Sequence, residues 1–195
     1  MFKEKEYWAE HFEDVVFEER LLTGVEFDDC SFKNCNFKET QFRHCRFIDC
    51  RFEGCDMSVV SFSDTRFEET RFKETKLTGV DWTLVDYSEF IFDAPFSFYN
   101  CVLDYSSFYG VRLERLSMKM CRMIEVDFSE AQLVGADFRE SDMLKSTFRH
   151  CDLSGGDFIE ALNYSIDLRE NKISGARFSR EEALALLEYL DIELV

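Results

Sequence analysis

Large apolar side chains recur every five residues through most of the chain. From Phe12 they fall at Phe17, Leu22, Phe27, Phe32, Phe37, Phe42, Phe47, Phe52, Met57, Phe62, Phe67, Phe72, Leu77, Trp82, Tyr87 and Phe92. The phase then moves by one position and resumes at Phe98, Leu103, Phe108, Leu113, Met118, Met123, Phe128, Leu133, Phe138, Met143, Phe148, Leu153 and Phe158. Asn163 interrupts it before Leu168, Ile173 and Phe178. An amphipathic helix repeats at about 3.6 residues and a strand at about two, so neither template yields this spacing. A short repeat sustained this long predicts a solenoid, in which each unit buries its apolar face against its neighbours.

The position two before each large residue is also restricted. It reads Val25, Cys30, Cys35, Thr40, Cys45, Cys50, Cys55, Val60, Thr65, Thr70, Thr75, Val80 and Val85, and in the second phase includes Cys101, Ser106, Val111, Cys121, Val126, Ala131, Ala136, Ser141, Ser146 and Cys151. Each five-residue unit thus points one large and one small side chain inward and three side chains outward. The outward three are mostly polar, which reconciles 32% charged residues with a continuous core.

Units such as Ala131-Gln132-Leu133-Val134-Gly135 and Ala136-Asp137-Phe138-Arg139-Glu140 follow an A(D/N)LXX consensus. Over about residues 12–178 the chain resembles the pentapeptide-repeat family. The resemblance implies an all-β solenoid, a right-handed quadrilateral β-helix whose square coil takes four repeats. About eight coils at a strand spacing of about 4.8 Å give a rod roughly 40 Å long. We expect residues 1–11 to cap one end. The repeats form two blocks, 12–93 and 97–178, and residues 179–195 cap the other end. The phase change near 93–97 holds Pro95, the single proline, and reads as one extra residue, tolerated where a ladder is interrupted. Phe90 and Phe96 occupy the small-residue register and are expected to distort the coil there. Ser179-Arg180-Glu181-Glu182 has the form of a capping box opening a C-terminal helix over 183–190. That helix, with the tail Asp191-Ile192-Glu193-Leu194-Val195, is more apolar than a bare cap requires. We therefore expect a homodimer, with Leu184, Leu187, Leu190, Ile192 and Leu194 at its interface.

No apolar run reaches the roughly 20 residues of a membrane helix. The start, Met1-Phe2-Lys3-Glu4-Lys5-Glu6, leads into no apolar segment of a signal peptide, so a cytoplasmic protein is expected. All eight cysteines lie in the small inward register and none forms a C-x-x-C pair, which favours buried structural thiols over metal ligands or disulfides. His11, His44 and His150 are scattered, and no nucleophile–base arrangement or phosphate-binding glycine motif occurs. No cofactor, metal or catalytic residue is expected, and the chain reads as a non-enzyme.

The net charge of −17 disfavours direct contact with nucleic acid or anionic membrane. Stacking the outward triplets around Phe27, Phe47, Phe67, Tyr87, Phe108, Phe128, Phe148 and Leu168 places twelve acids on one face. They are Glu26, Asp28, Asp29, Asp49, Glu68, Glu69, Asp86, Glu89, Asp127, Glu130, Asp167 and Glu170, against Arg46, Arg66, Arg149 and Arg169. A rigid rod with carboxylates along one side has the charge character of duplex DNA. The two blocks, the central slip and the C-terminal helix resemble the Qnr and MfpA branch of the family. That resemblance implies a DNA mimic that binds the DNA groove of DNA gyrase or topoisomerase IV and blunts quinolones. The chain is expected to lack the projecting loops of many Qnr proteins and so to be closer to the MfpA type. A competing expectation is a protein-interaction scaffold that works through an apolar stripe of Val102, Tyr105, Ile124, Leu144, Leu162 and Tyr164.

Overall fold

The computed structural model describes residues 2–87, 93–190 and 192. Three-residue parallel strands stack at twenty-residue intervals into four flat walls. On the first, here the Phe27 wall, strands Glu6–Trp8, Glu26–Asp28, Arg46–Ile48 and Arg66–Glu68 form one sheet with Tyr7, Phe27, Phe47 and Phe67 in register. The Phe32 wall aligns Phe12, Phe32, Phe52, Phe72, Phe98 and Met118. Single bridges Val16↔Asn36↔Asp56↔Lys76↔Val102 carry the Phe37 wall. The Phe42 wall pairs Leu22, Phe42 and Phe62 and continues through the bridge Asp81↔Ser107.

The five-residue unit closes a square because it combines a strand with a corner. Within a strand the central residue turns inward and its neighbours outward. The corner residue two positions later takes the left-handed conformation, as Asp29 (φ 51°), Asn34 (φ 51°) and His44 (φ 50°) do. The next small side chain then points inward again. Phenylalanines of successive coils stack face to face, Phe32 over Phe52 with ring centroids 4.6 Å apart. Phenylalanines of adjacent walls meet edge to face, Phe47 against Phe52 at 5.4 Å. The edge-to-face contacts satisfy the ring quadrupole, and the repetition of both contacts explains the use of one aromatic throughout.

The small position is selected by chemistry as well as by size. Thr65 donates its hydroxyl to the Phe42 carbonyl (3.1 Å), Thr70 to Phe47 (3.0 Å), Ser106 to Leu77 (3.0 Å) and Ser141 to Met118 (2.7 Å). The Cys151 thiol donates to Phe128 at 3.0 Å. Each donor answers a buried carbonyl of the preceding coil, which would carry a desolvation cost if left unpaired. All eight cysteines are buried and free. Burial pushes the Cys50 thiol up to about 12, far from a reactive thiolate.

At three places the structure departs from the expected coil. First, Phe72 pairs with Phe98, a register of 26 residues instead of twenty. The phase moves by one position in five, but the coil count moves by six residues. They fall between Asp86, whose N–H reaches the Thr65 carbonyl at 3.0 Å, and Phe96, which pairs with Thr70. This stretch includes Phe90 and Glu89, which lie outside the described residues. The expectation of one extra residue and no inserted segment is therefore corrected. Phe96 does fill a small-residue slot, packing on Trp82 at 4.8 Å and Phe67 at 5.5 Å.

Second, Asn163 turns early (φ 57°), Tyr164 enters the core at 2% exposure, and Ile166 bridges Phe148 after 18 residues. The inward residue there is Ile166, not Leu168, and Tyr164 leaves the expected surface stripe. The turn at Asp167–Asn171 returns the two missing residues before Lys172 bridges Asp152. Third, the C-terminal cap is a short 3-10 helix, Glu182–Leu187, and the capping box is not formed. Ser179 instead accepts the Glu160 N–H with its hydroxyl at 2.8 Å, and Leu186 is the cap residue buried against the coil.

Candidate partner-binding wall

The first block of the Phe27 wall gathers a net negative charge over three columns. Leading positions are Glu6, Glu26, Arg46, Arg66 and Asp86, central outward positions Trp8, Asp28, Ile48 and Glu68, and corner positions Ala9, Asp29, Asp49 and Glu69. Eight acids stand against two arginines, a net charge of −6 on one wall. Both arginines are already matched within it, Arg46 to Glu26 at 3.0 Å and Arg66 to Asp86 at 2.6 Å. Asp28, Asp49, Glu68 and Glu69 make no ion pair among the described residues, while Asp29 approaches Arg51 of the adjoining wall at 4.0 Å.

The twelve acids expected on one face do not share it. Glu26, Asp28, Asp29, Asp49, Glu68, Glu69 and Asp86 do. Asp127 and Glu130 lie on the Phe42 wall, as the bridge Ser107↔Asp127 shows, and Asp167 and Glu170 follow them there beyond Ile166. The cause is the six-residue register change, which rotates the second block by one wall relative to a simple count. Beyond it the Phe27 wall carries Arg112, Glu114 and Arg115, and Arg115 pairs with Asp93. The strip is thus confined to the first block. Glu6 belongs to it and was missed, because the five-residue count began at Phe12; Tyr7, one step earlier, was the available signal.

The outlying acids are engaged locally. The Glu130 carboxylate accepts the Tyr109 hydroxyl and raises that phenol above its usual range. Arg169 grips Asp167 through Nε (3.0 Å) and Nη2 (2.6 Å) and holds its carboxyl below the usual range. At the C-terminal end Leu184, Leu190 and Ile192 are exposed and Leu187 is half-buried, while Leu194 lies outside the described residues.

His11 Nδ1 lies 2.6 Å from Ser31 Oγ on the Phe32 wall, but nothing among the described residues bonds to the other ring nitrogen. Among the described residues no group of three or more potential ligands could hold a metal ion, and no helix is long and apolar enough to cross a membrane.

Fold and wall together define a four-sided β-solenoid of five-residue repeats with one charged side. The pentapeptide repeat region family matches residues 25–94 and 96–178, passing over Pro95, and the chain belongs to this family. Among solved structures it is similar to QnrB1, a plasmid-mediated fluoroquinolone resistance protein. One trypsin-treated variant of QnrB1 aligns with 20% identity and a TM-score of 0.63 over 95% of this chain and all of that one (100%). A second trypsin-treated variant aligns with 21% identity and a TM-score of 0.58 over 97% and 98% of the two chains. At this identity the likeness establishes the fold. No curated protein gives a significant match.

Proposed function

We propose that this protein is a non-catalytic DNA mimic whose acidic Phe27 wall occupies the DNA-binding groove of a type II topoisomerase, DNA gyrase or topoisomerase IV, with quinolone protection as a consequence. The observation that carries this reading is the concentration of −6 on one flat wall whose two cations are internally matched. From Glu6 to Asp86 the strip spans four coil steps, about 19 Å, or roughly six base pairs of duplex. Aromatic stacks hold the wall stiff, so little ordering entropy opposes docking. The family membership and the QnrB1 fold support the reading, since QnrB1 is a fluoroquinolone resistance protein.

The test is gyrase supercoiling at low salt. Wild-type protein is expected to inhibit it, and Asp28→Lys, Asp49→Lys, Glu68→Lys and Glu69→Lys together are expected to abolish inhibition while the circular dichroism spectrum is kept. Absence of inhibition by wild type, or full inhibition by the quadruple variant, refutes the proposal. The same reading includes a homodimer through the C-terminal segment, supported by the exposure of Leu184 and Ile192 at 58% and 54%. Leu184→Arg with Ile192→Arg is expected to halve the mass measured by light scattering, and a wild-type monomer would count against the dimer.

A further inference from the structure

The Phe37 wall of the second block presents a surface of another kind. Bridges Val102↔Arg122, Arg122↔Asp142 and Asp142↔Leu162 set one column. Backbone bonds from Tyr105 to Ile124 (2.9 Å) and from Glu125 to Leu144 (3.0 Å) stack Ile124 and Leu144 beside it. Tyr105, Leu144 and Leu162 are 61%, 42% and 46% exposed. The two cations of this wall are consumed within it. Arg122 is held by Asp104, whose side chain is only 6% exposed, and Lys145 lies 3.3 Å from Glu125.

Carboxylates flank the stripe on both sides. Glu140 and Glu160 line the corner toward the Phe32 wall, and Asp127 stands at the near edge of the Phe42 wall. None of these three forms an ion pair among the described residues. Exposed apolar side chains gathered on one wall, here interspersed with Arg122 and Asp142, mark an interaction surface, and the charged margins select the occupant.

We propose that this wall docks a basic amphipathic segment of a partner protein, with apolar side chains laid along Tyr105, Ile124 and Leu144 and Lys or Arg side chains reaching the flanking carboxylates. The stripe covers three coil steps, about 14 Å, which matches about ten residues of helix. A second copy of this chain would bring two sets of carboxylates together. Anionic lipid and nucleic acid meet the same repulsion.

The test is fluorescence anisotropy on the whole chain at physiological salt. The probe is a labelled amphipathic Leu/Lys peptide, compared with a scrambled peptide of identical composition. The amphipathic peptide is expected to bind at least tenfold more tightly. Tyr105→Ser with Leu144→Ser, and separately Glu140→Lys with Glu160→Lys, are expected to remove that preference. Both pairs are exposed, and circular dichroism checks that they fold. The quadruple Phe27-wall variant is expected to keep the preference, which separates this docking from DNA mimicry. Equal binding of the two peptides, or an unchanged preference in both double variants, overturns the proposal. So does loss of self-association in Tyr105→Ser/Leu144→Ser, which would assign the stripe to a second copy.

Discussion

At Val59 a β-branched side chain is held at φ 56° on a corner, in the region L residues avoid most strongly when branched at Cβ. Equivalent corners use Asp49, Asp64 and Asn34, whose short polar side chains tolerate that conformation, or Gly79 directly above. Val59 is 56% exposed, so little packing opposes the strain. Val59→Asn is expected to stabilise the fold by about 1 kcal/mol, read as a higher urea midpoint with an unchanged m-value; a lower midpoint would show that Val59 contributes contacts that outweigh its strain. At the same scale, the sequence displays the small inward register but hides half of its meaning. Val80, Thr65 and Cys50 look equivalent by volume, yet Thr65 and Cys50 each satisfy a carbonyl one coil back. Size is encoded in the five-residue period, whereas the bond depends on which coil lies behind.

Among the walls, the Phe32 wall of the second block is tied by a chain of charges across its coils. Lys119 meets Asp137 at 3.1 Å, Arg139 meets Asp137 at 2.7 Å and Asp157 at 3.7 Å, and Arg177 meets Asp157 at 3.0 Å. Burial alone would raise the Asp137 carboxyl, but its bonds from Arg139 and Lys119 prevail and hold it below the usual range. A carboxylate depressed on folding stabilises the native state above its unfolded pKa, near 3.9, and loses that contribution as pH falls through the folded value. The stability gap between wild type and Asp137→Asn is therefore expected to be constant above about pH 5 and to close between about pH 4 and pH 2. Urea denaturation across that range checks it; a gap independent of pH would mean that Asp137 acts through packing. Elements at this scale were legible in kind but not in count. The spacing of five identifies which residues point inward, as Phe72 and Phe98 both do. It does not identify the wall, because one added repeat restores the same inward phase. The change from 20 to 26 residues at Phe98 thus shows in the sequence only as its remainder of one.

For the whole molecule, that remainder decides where the charge goes. A rod bearing twelve acids on one side would present a uniform field, whereas this one carries −6 on the first block of the Phe27 wall and near neutrality beyond Arg112 and Arg115. Asp127 and Glu130 face a different direction on the Phe42 wall. A basic groove that embraces one side of the rod contacts one wall closely, and screening over about 8–10 Å at physiological salt weakens what it feels from the others. Position, more than total charge, should then govern binding. Two variants of equal net charge separate these causes. Replacing Asp28 and Glu68 by Lys adds four positive charges to the strip, and replacing Asp127 and Glu130 by Lys adds four to the neighbouring wall. Under the proposed mimicry of duplex, the first is expected to weaken binding to gyrase at least tenfold and to flatten its dependence on salt, because fewer charges interact across the interface. The second is expected to change affinity less than threefold and to leave the salt dependence close to wild type. Binding titrations between about 50 and 300 mM salt read both quantities. If the two variants lose affinity equally, net charge rather than the wall drives association, and the proposed imitation of duplex fails.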